Sequence, residues 1–309
     1  MAEGTASSSL NEAIGTARPR RKRRWVTQDT RRGMTLLSPI LLLFMFALAL
    51  PIFLLFTISF WTQTGLRPTP GFTFDNYLAF FERPVYATLL RRSIENSALV
   101  ALITVVLAYP AAYFVAFKVK KNKAMWLILI TIPFWTSYLL RVFAWKVVLG
   151  YNGVINSGLM TVGLIEEPLT FLLNNRQAVI ITLAHAWAAF AILPIYVSLE
   201  KIDRSYLEAA SDLGEGPVGQ FFRVTLPLSL PGIIAAALVI FIPTVGDYVT
   251  PLLVGGNNGL MISNVVQVQF GRGSNWPLGS AISVISMITI TGVVCIFLLL
   301  TQQLKRRLT

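Results

Sequence analysis

A single cysteine, a single histidine and very few charged residues mark this chain of 309 residues. With one thiol, Cys295, no intrachain disulfide can form, so the chain is not a disulfide-stapled scaffold. With one imidazole, His185, and no cysteine or carboxylate at ligand spacing, neither a metal cluster nor a Ser-His-Asp arrangement can be written. The dipeptide Gly-Lys never occurs, so there is no Walker A phosphate loop and no ATP hydrolysis by that machinery. Charged residues make up 13% of the chain, about half the share in a soluble domain. That shortage argues against an ordinary soluble enzyme, and the 55% hydrophobic content excludes a disordered or collagenous chain.

What is present is a succession of uncharged apolar runs. No charge lies between Arg32 and Arg67, and residues 36–60 are almost wholly apolar. About 20 apolar residues cross a hydrocarbon layer as a helix. Further spans are expected at residues 96–117, 124–149, 177–199, 228–245 and 278–304, giving an all-α polytopic membrane protein of about six spans. Residues 248–271 are also uncharged, but the glycines and asparagines at 255–259 read as a loop or re-entrant segment. The chain thus has two regions: a basic N-terminal tail, 1–33, expected to be disordered, and a membrane domain, 34–309.

Six spans put both termini on one side. On that side lie 8 basic residues of the tail, 4 in residues 118–123, 3 in residues 200–227 and 3 after residue 304, which is 18 of the 26. By the positive-inside rule this side is cytoplasmic, and the net charge of +12 is topogenic rather than a sign of nucleic-acid binding. The run Arg18 to Arg24 is suited to anionic lipid headgroups.

The cytoplasmic segment 203–227 is the most informative part of the chain. Ser205 with Glu208 three residues later reads as a capping box that starts a helix. Gly214 supplies a left-handed stop, and Pro217 opens a second short helix that Pro227 and Pro231 end. A rigid knob of this kind can seat in a groove of another protein; the plain alternative is an ordinary helical connector. The pattern Glu208-Ala209-Ala210, three residues, Gly214, nine residues, Val224-Thr225-Leu226-Pro227 resembles the EAA loop of ABC importer permeases, with Val224 where isoleucine is usual. Residues 133–156, 241–256 and 95–114 are similar to permeases of the spermidine/putrescine family, and the resemblance covers roughly residues 34–305.

That resemblance implies a permease subunit of the bacterial inner membrane that imports a small organic solute, a polyamine first of all, by alternating access. It implies a second, paralogous permease, two copies of an ABC ATPase that binds ATP and Mg, an extracytoplasmic solute-binding protein, and no cofactor or catalytic residue on this chain. Glu208, Ala209, Ala210 and Gly214 would form the coupling contact, with Arg204 and Asp212 adding charged contacts. An opine or another small organic solute is the alternative cargo. An ATPase-independent transporter or channel, or a membrane enzyme, leaves the loop spacing unexplained.

Charges inside a membrane are costly and tend to mark a pathway. Asp247, at the outer end of the fifth span, is the first candidate, with Glu95 at the start of the second span next. Trp135, Tyr138, Trp145 and Tyr248 offer faces for ammonium groups, although aromatic residues at span ends also form interfacial belts. Arg141 and Lys146 either reach headgroups or pair with Glu95 or Asp247 to hold a gate. An unpaired basic side chain in the pathway would repel a polyamine. His185, among small alanines, is expected to make a helix–helix hydrogen bond.

Overall fold

The computed structural model describes residues 28–65 and 67–308. The basic stretch before residue 28, with its expected disorder, lies outside the described residues. The chain divides into two units, Met1–Phe53 and Leu54–Thr309. The first is described by helix α1 (Gln28–Ile58), which continues into the second unit and carries Pro39 and Pro51. Interior prolines are tolerated in spanning helices because neighbouring groups satisfy the freed carbonyls.

In the second unit a short antiparallel hairpin, Thr62–Thr64 with Arg67–Thr69, leads to α2 (Asp75–Glu82). Three long helices form the core: α3 (Pro84–Tyr113), α7 (Arg176–Glu200) and α10 (Leu226–Gly246). Between α3 and α7 come α4 (Lys123–Thr131), α5 (Tyr138–Val148) and α6 (Val154–Thr161). Between α7 and α10 come α8 (Arg204–Asp212) and α9 (Pro217–Gln220). The chain closes with α11 (Val249–Val254), α12 (Gly256–Gly259), α13 (Ile262–Phe270) and α14 (Trp276–Leu308).

The three core helices pack pairwise and bury Val100, Leu183, Ile195, Ala236 and Ile240. Lipid removes the hydrophobic drive between helices, so close approach and dispersion must hold them. Small residues permit that approach. A Cβ added to Gly232 of α10 would lie 2.5 Å from the Pro194 carbonyl of α7, closer than any methyl group can sit.

Among the described residues, five unbroken helices are long and apolar enough to cross a membrane, and a bent pair makes up to six. Four expectations need correction. The third span is not continuous: Lys123–Trp135 and Tyr138–Val148 meet at 80°. Pro133 lacks an amide hydrogen, and Thr136 and Ser137 turn extended, so the ladder cannot run through. The second span starts at Pro84, which puts Glu95 inside the helix rather than at its start. Pro227 and Pro231 do not end a helix. Pro227 follows the π-helical turn Phe221–Thr225 within a helix that runs on from Pro217 to Gly246, and Pro231 lies further along it. Finally, the glycines around 255–259 punctuate short helices α11 to α13 instead of abolishing helix.

Candidate functional site

Two arrangements carry the residues that the sequence singles out. The first is the loop between α7 and α10. Its helix α8 starts at Asp203, whose Oδ1 accepts the Ser205 backbone N–H at 3.0 Å, so Asp203 is the cap and the Ser205–Glu208 capping box is not formed. The same donated hydrogen bond holds the Asp203 carboxyl below the ordinary aspartate value. An aspartate two residues ahead of a Ser captures its N–H first, which the spacing Ser-x-x-Glu does not reveal.

At the other end, Gly214 adopts φ +86°. The Glu215 N–H donates to Ala210 O at 3.0 Å and the Gly214 N–H to Ser211 O at 2.9 Å. These are the paired bonds of a Schellman stop. Beyond it Arg223 and Glu215 form an ion pair, and the Gln220 amide donates to Glu215 O at 2.9 Å. The turn is thus closed on both sides. Ala210 is buried on the underside of α8, whereas Arg204, Glu208, Ala209, Asp212 and Gly214 are exposed. The knob also presents apolar side chains outward, Leu213 at 86% and Val218 at 70% exposure. Leu213 is not among the candidates that the motif marks; an apolar residue directly before the stop glycine is the pattern that points to it.

The second arrangement gathers around Asp247, directly after the last turn of α10. Its Oδ1 accepts the Val249 N–H at 2.8 Å and the Thr250 N–H at 3.3 Å. Its Oδ2 accepts the Tyr138 hydroxyl, which also sits 2.6 Å from the Thr250 hydroxyl. The Asp247 carbonyl accepts from Ser263 at 2.6 Å, and the Tyr248 carbonyl from the Asn264 amide at 2.8 Å. One carboxylate therefore fastens the broken third span to the junction of α10 and α11. Tyr138, Arg141 and Asp247 share a cavity of about 390 Å³ with Trp187 and Phe190. Sequence patterning does not mark the last two, although both lie on the same helix as His185.

Arg141 pairs with neither Glu95 nor Asp247. It donates to the carbonyls of Phe134 at 2.8 Å, Thr136 at 3.1 Å and Ala186 at 3.2 Å, and lies 4.9 Å over the Phe134 ring. The break at residues 132–137 exposes carbonyls that a guanidinium fork can satisfy, and that geometry claims it. Glu95 instead meets Arg176 at 3.3 Å and Arg91 at 3.7 Å. Trp145 donates to His185 Nδ1 at 3.0 Å, the helix–helix bond expected of that histidine, so neither joins the Asp247 cluster. Trp135 is 79% exposed. Tyr248 lines a different cavity of about 750 Å³, with Ser263, Gln267, Ser283 and Thr291.

The apolar helices, the broken third span and the capped loop between α7 and α10 define a multi-pass membrane protein. The chain belongs to the family of binding-protein-dependent transport system inner membrane components, whose model matches residues 25–309. It is 37% identical over 240 residues to the spermidine/putrescine transport system permease protein PotB of Haemophilus influenzae, covering 77% of this chain and 83% of that one. Identity to PotB of Escherichia coli K12 is also 37%, over 237 residues, with 77% and 84% covered. Among solved structures, a bacterial ABC transporter involved in the import of the acidic polysaccharide alginate matches with a TM-score of 0.67 at 19% identity, covering 91% of this chain and 98% of that one. At that identity the likeness is one of fold, and the fold is that of an ABC transporter permease.

Proposed function

We propose that this chain is the permease subunit of an ATP-driven importer whose solute is a polyamine such as spermidine or putrescine. The observation that carries the cargo is the 37% identity to polyamine permeases over most of both chains. The coupling assignment is supported by the loop at 203–227, rigid at both ends and apolar at its tip, as a knob seated in another protein needs to be. Arg204, Glu208, Ala209, Asp212 and Gly214 lie on its exposed surface, with Ala210 setting the packing beneath. In this reading a separate ATPase, in two copies, binds ATP and Mg; a second, paralogous permease completes the pathway; and an extracytoplasmic binding protein delivers the solute. Both termini face the cytoplasm.

A different cargo keeps one observation in its favour. Arg141 lines the cavity that holds Asp247, and a guanidinium there suits an opine or another zwitterionic solute better than a polycation. The test is ATP hydrolysis by the complex co-purified with its binding protein into lipid nanodiscs, over a panel of polyamines, opines and amino acids. Stimulation by spermidine or putrescine alone supports the polyamine reading, and stimulation by another solute alone replaces it. If no ATPase co-purifies, the coupling assignment falls.

A further inference from the structure

Lys123, the first residue of α4, is one of the basic residues that orient the chain, but its ammonium has a more particular place. Nζ donates to both carboxylate oxygens of Glu200, each at 2.8 Å, and to the Ala116 carbonyl at 2.8 Å. Each of these groups belongs to a different span. Ala116 lies in the π-helical turn Phe114–Lys118 that ends the second span, Lys123 opens the third, and Glu200 is the last residue of α7 in the fourth.

The local chemistry explains why a cation sits there. A helix end leaves carbonyls without intrahelical donors, and a π-helical turn shifts which ones they are. Ala116 O is such a group, and a cation near a helix C-terminus is favoured by the helix dipole as well. The Lys123 side chain is 24% exposed and that of Glu200 40%, and it is the bond to the Ala116 carbonyl that lies on the more buried side of the ammonium.

The junction gains its meaning from the residues next to Glu200 in the chain. Only Lys201 and Ile202 separate it from Asp203, the cap of α8. That connector is short and tied down: the Ile202 N–H donates to Leu199 O at 3.2 Å, and Leu199 is fully buried. A displacement of α8 therefore reaches Glu200 without slack. From Glu200 it meets one ammonium that holds the end of the second span and the start of the third. The third span in turn leads through its 80° break to Tyr138, which is fastened to Asp247.

We propose that Lys123 is a positioning residue that passes movement of the 203–227 loop into the second and third spans, so that ATP hydrolysis and solute movement stay in step. The inference rests on the proposed role of that loop in coupling to an ATPase. Lys123→Met removes the ammonium while keeping the length of the side chain. In nanodiscs with the ATPase and the spermidine-loaded binding protein, Lys123→Met is expected to retain the ATPase and to hydrolyse ATP. The ATP consumed per spermidine imported should rise about tenfold, toward the lower end of the roughly 5–150-fold range of coupling between sites. Lys123→Arg, which still donates to a carboxylate and a carbonyl, should restore the wild-type ratio, and Glu200→Gln should reproduce the loss in part.

A merely structural role would lower yield and thermal stability without changing that ratio. An unchanged ratio in Lys123→Met overturns the inference, as does loss of the ATPase from this variant alone, which would make Lys123 a docking determinant. Should Lys123→Met fail to reach the membrane, Glu200→Gln is read by the same ratio, and a wild-type value there overturns the inference too. Failure of the coupling role itself looks different: the wild-type complex would then lack the ATPase, whereas a wild-type complex that holds the ATPase but imports another solute is read by the same ratio with that solute.

Discussion

At Gly214 nothing lies within 4 Å of where a Cβ would stand, so side-chain crowding is not what requires glycine there. The requirement is the backbone angle, φ +86°, which costs an L-residue roughly 1–2 kcal/mol and a β-branched one more. Gly214→Val is therefore expected to distort the stop between α8 and α9 while leaving membrane insertion unaffected, because no span is touched. Solute-stimulated ATP hydrolysis by the co-purified complex should drop, and normal stimulation would count against the loop as the coupling element. Asp247 poses the opposite problem, since its side chain is already engaged by Tyr138, Val249 and Thr250. Asparagine keeps an oxygen for the two backbone donors but loses the charge and puts an amide donor where Oδ2 accepts the Tyr138 hydroxyl. We expect Asp247→Asn to keep the ATPase bound and to lower uptake at limiting solute about tenfold, consistent with one charge-assisted hydrogen bond of about 1.5–3 kcal/mol. Uptake kinetics identical to wild type would leave Asp247 as a helix cap and nothing more. The sequence marks Asp247 and Tyr138 separately, through cost and composition; that they bond to each other is invisible there, because it depends on where the third span breaks.

Elements are legible wherever one physical length decides them. Bilayer thickness alone picks out α1, α3, α7, α10 and α14, since each offers enough uncharged apolar residues to cross. The break at residues 132–137 stays hidden because no charge marks it and the helices on either side are together apolar enough for one span; Pro133 is visible, but prolines at 39, 51, 110, 194, 231 and 243 sit inside continuous helices. What separates Pro133 is the extended backbone after it and the Arg141 fork that satisfies the opened carbonyls. Packing of elements makes its own prediction. Gly232 lies where α10 crosses α7, and its added Cβ would strike the Pro194 carbonyl, whereas Gly292 on α14 has nothing within 4 Å. Gly232→Ala should lower the unfolding temperature in detergent, in line with the roughly 1–3 kcal/mol typical of overpacking. Gly292→Ala should leave it unchanged or raise it, because alanine is the better helix former by about 1 kcal/mol. Equal behaviour of the two variants would mean that α7 and α10 do not meet at Gly232.

For the molecule as a whole, orientation turns on the broken third span, which has to cross: its first residue, Lys123, meets the last residue of α7, Glu200, while the first residue of α7, Arg176, meets Glu95 at the other end. Residues 118–123 and residues 150–175 therefore lie on opposite sides. The basic residues of the tail, of 118–123 and of 200–227 then share one face, as the charge rule requires. Turning back at the 80° bend would put those two loops on one face and the 203–227 loop on the other, far from residues 118–123, which the Lys123–Glu200 bond does not allow. Lys120 and Glu166 are both exposed, one in each loop, and Cys295 is the single thiol to remove first. In a Cys295→Ser background, a membrane-impermeant maleimide should label Glu166→Cys from outside intact spheroplasts and Lys120→Cys only after the membrane is opened. Labelling of both from one side would make the third segment re-entrant and would contradict the coupling assignment, since a knob that docks an ATPase has to lie where ATP is. Labelling from opposite sides would join two independent arguments, the placement of basic residues and the shape of the loop, because both require the cytoplasmic face to be the one that carries Gly214.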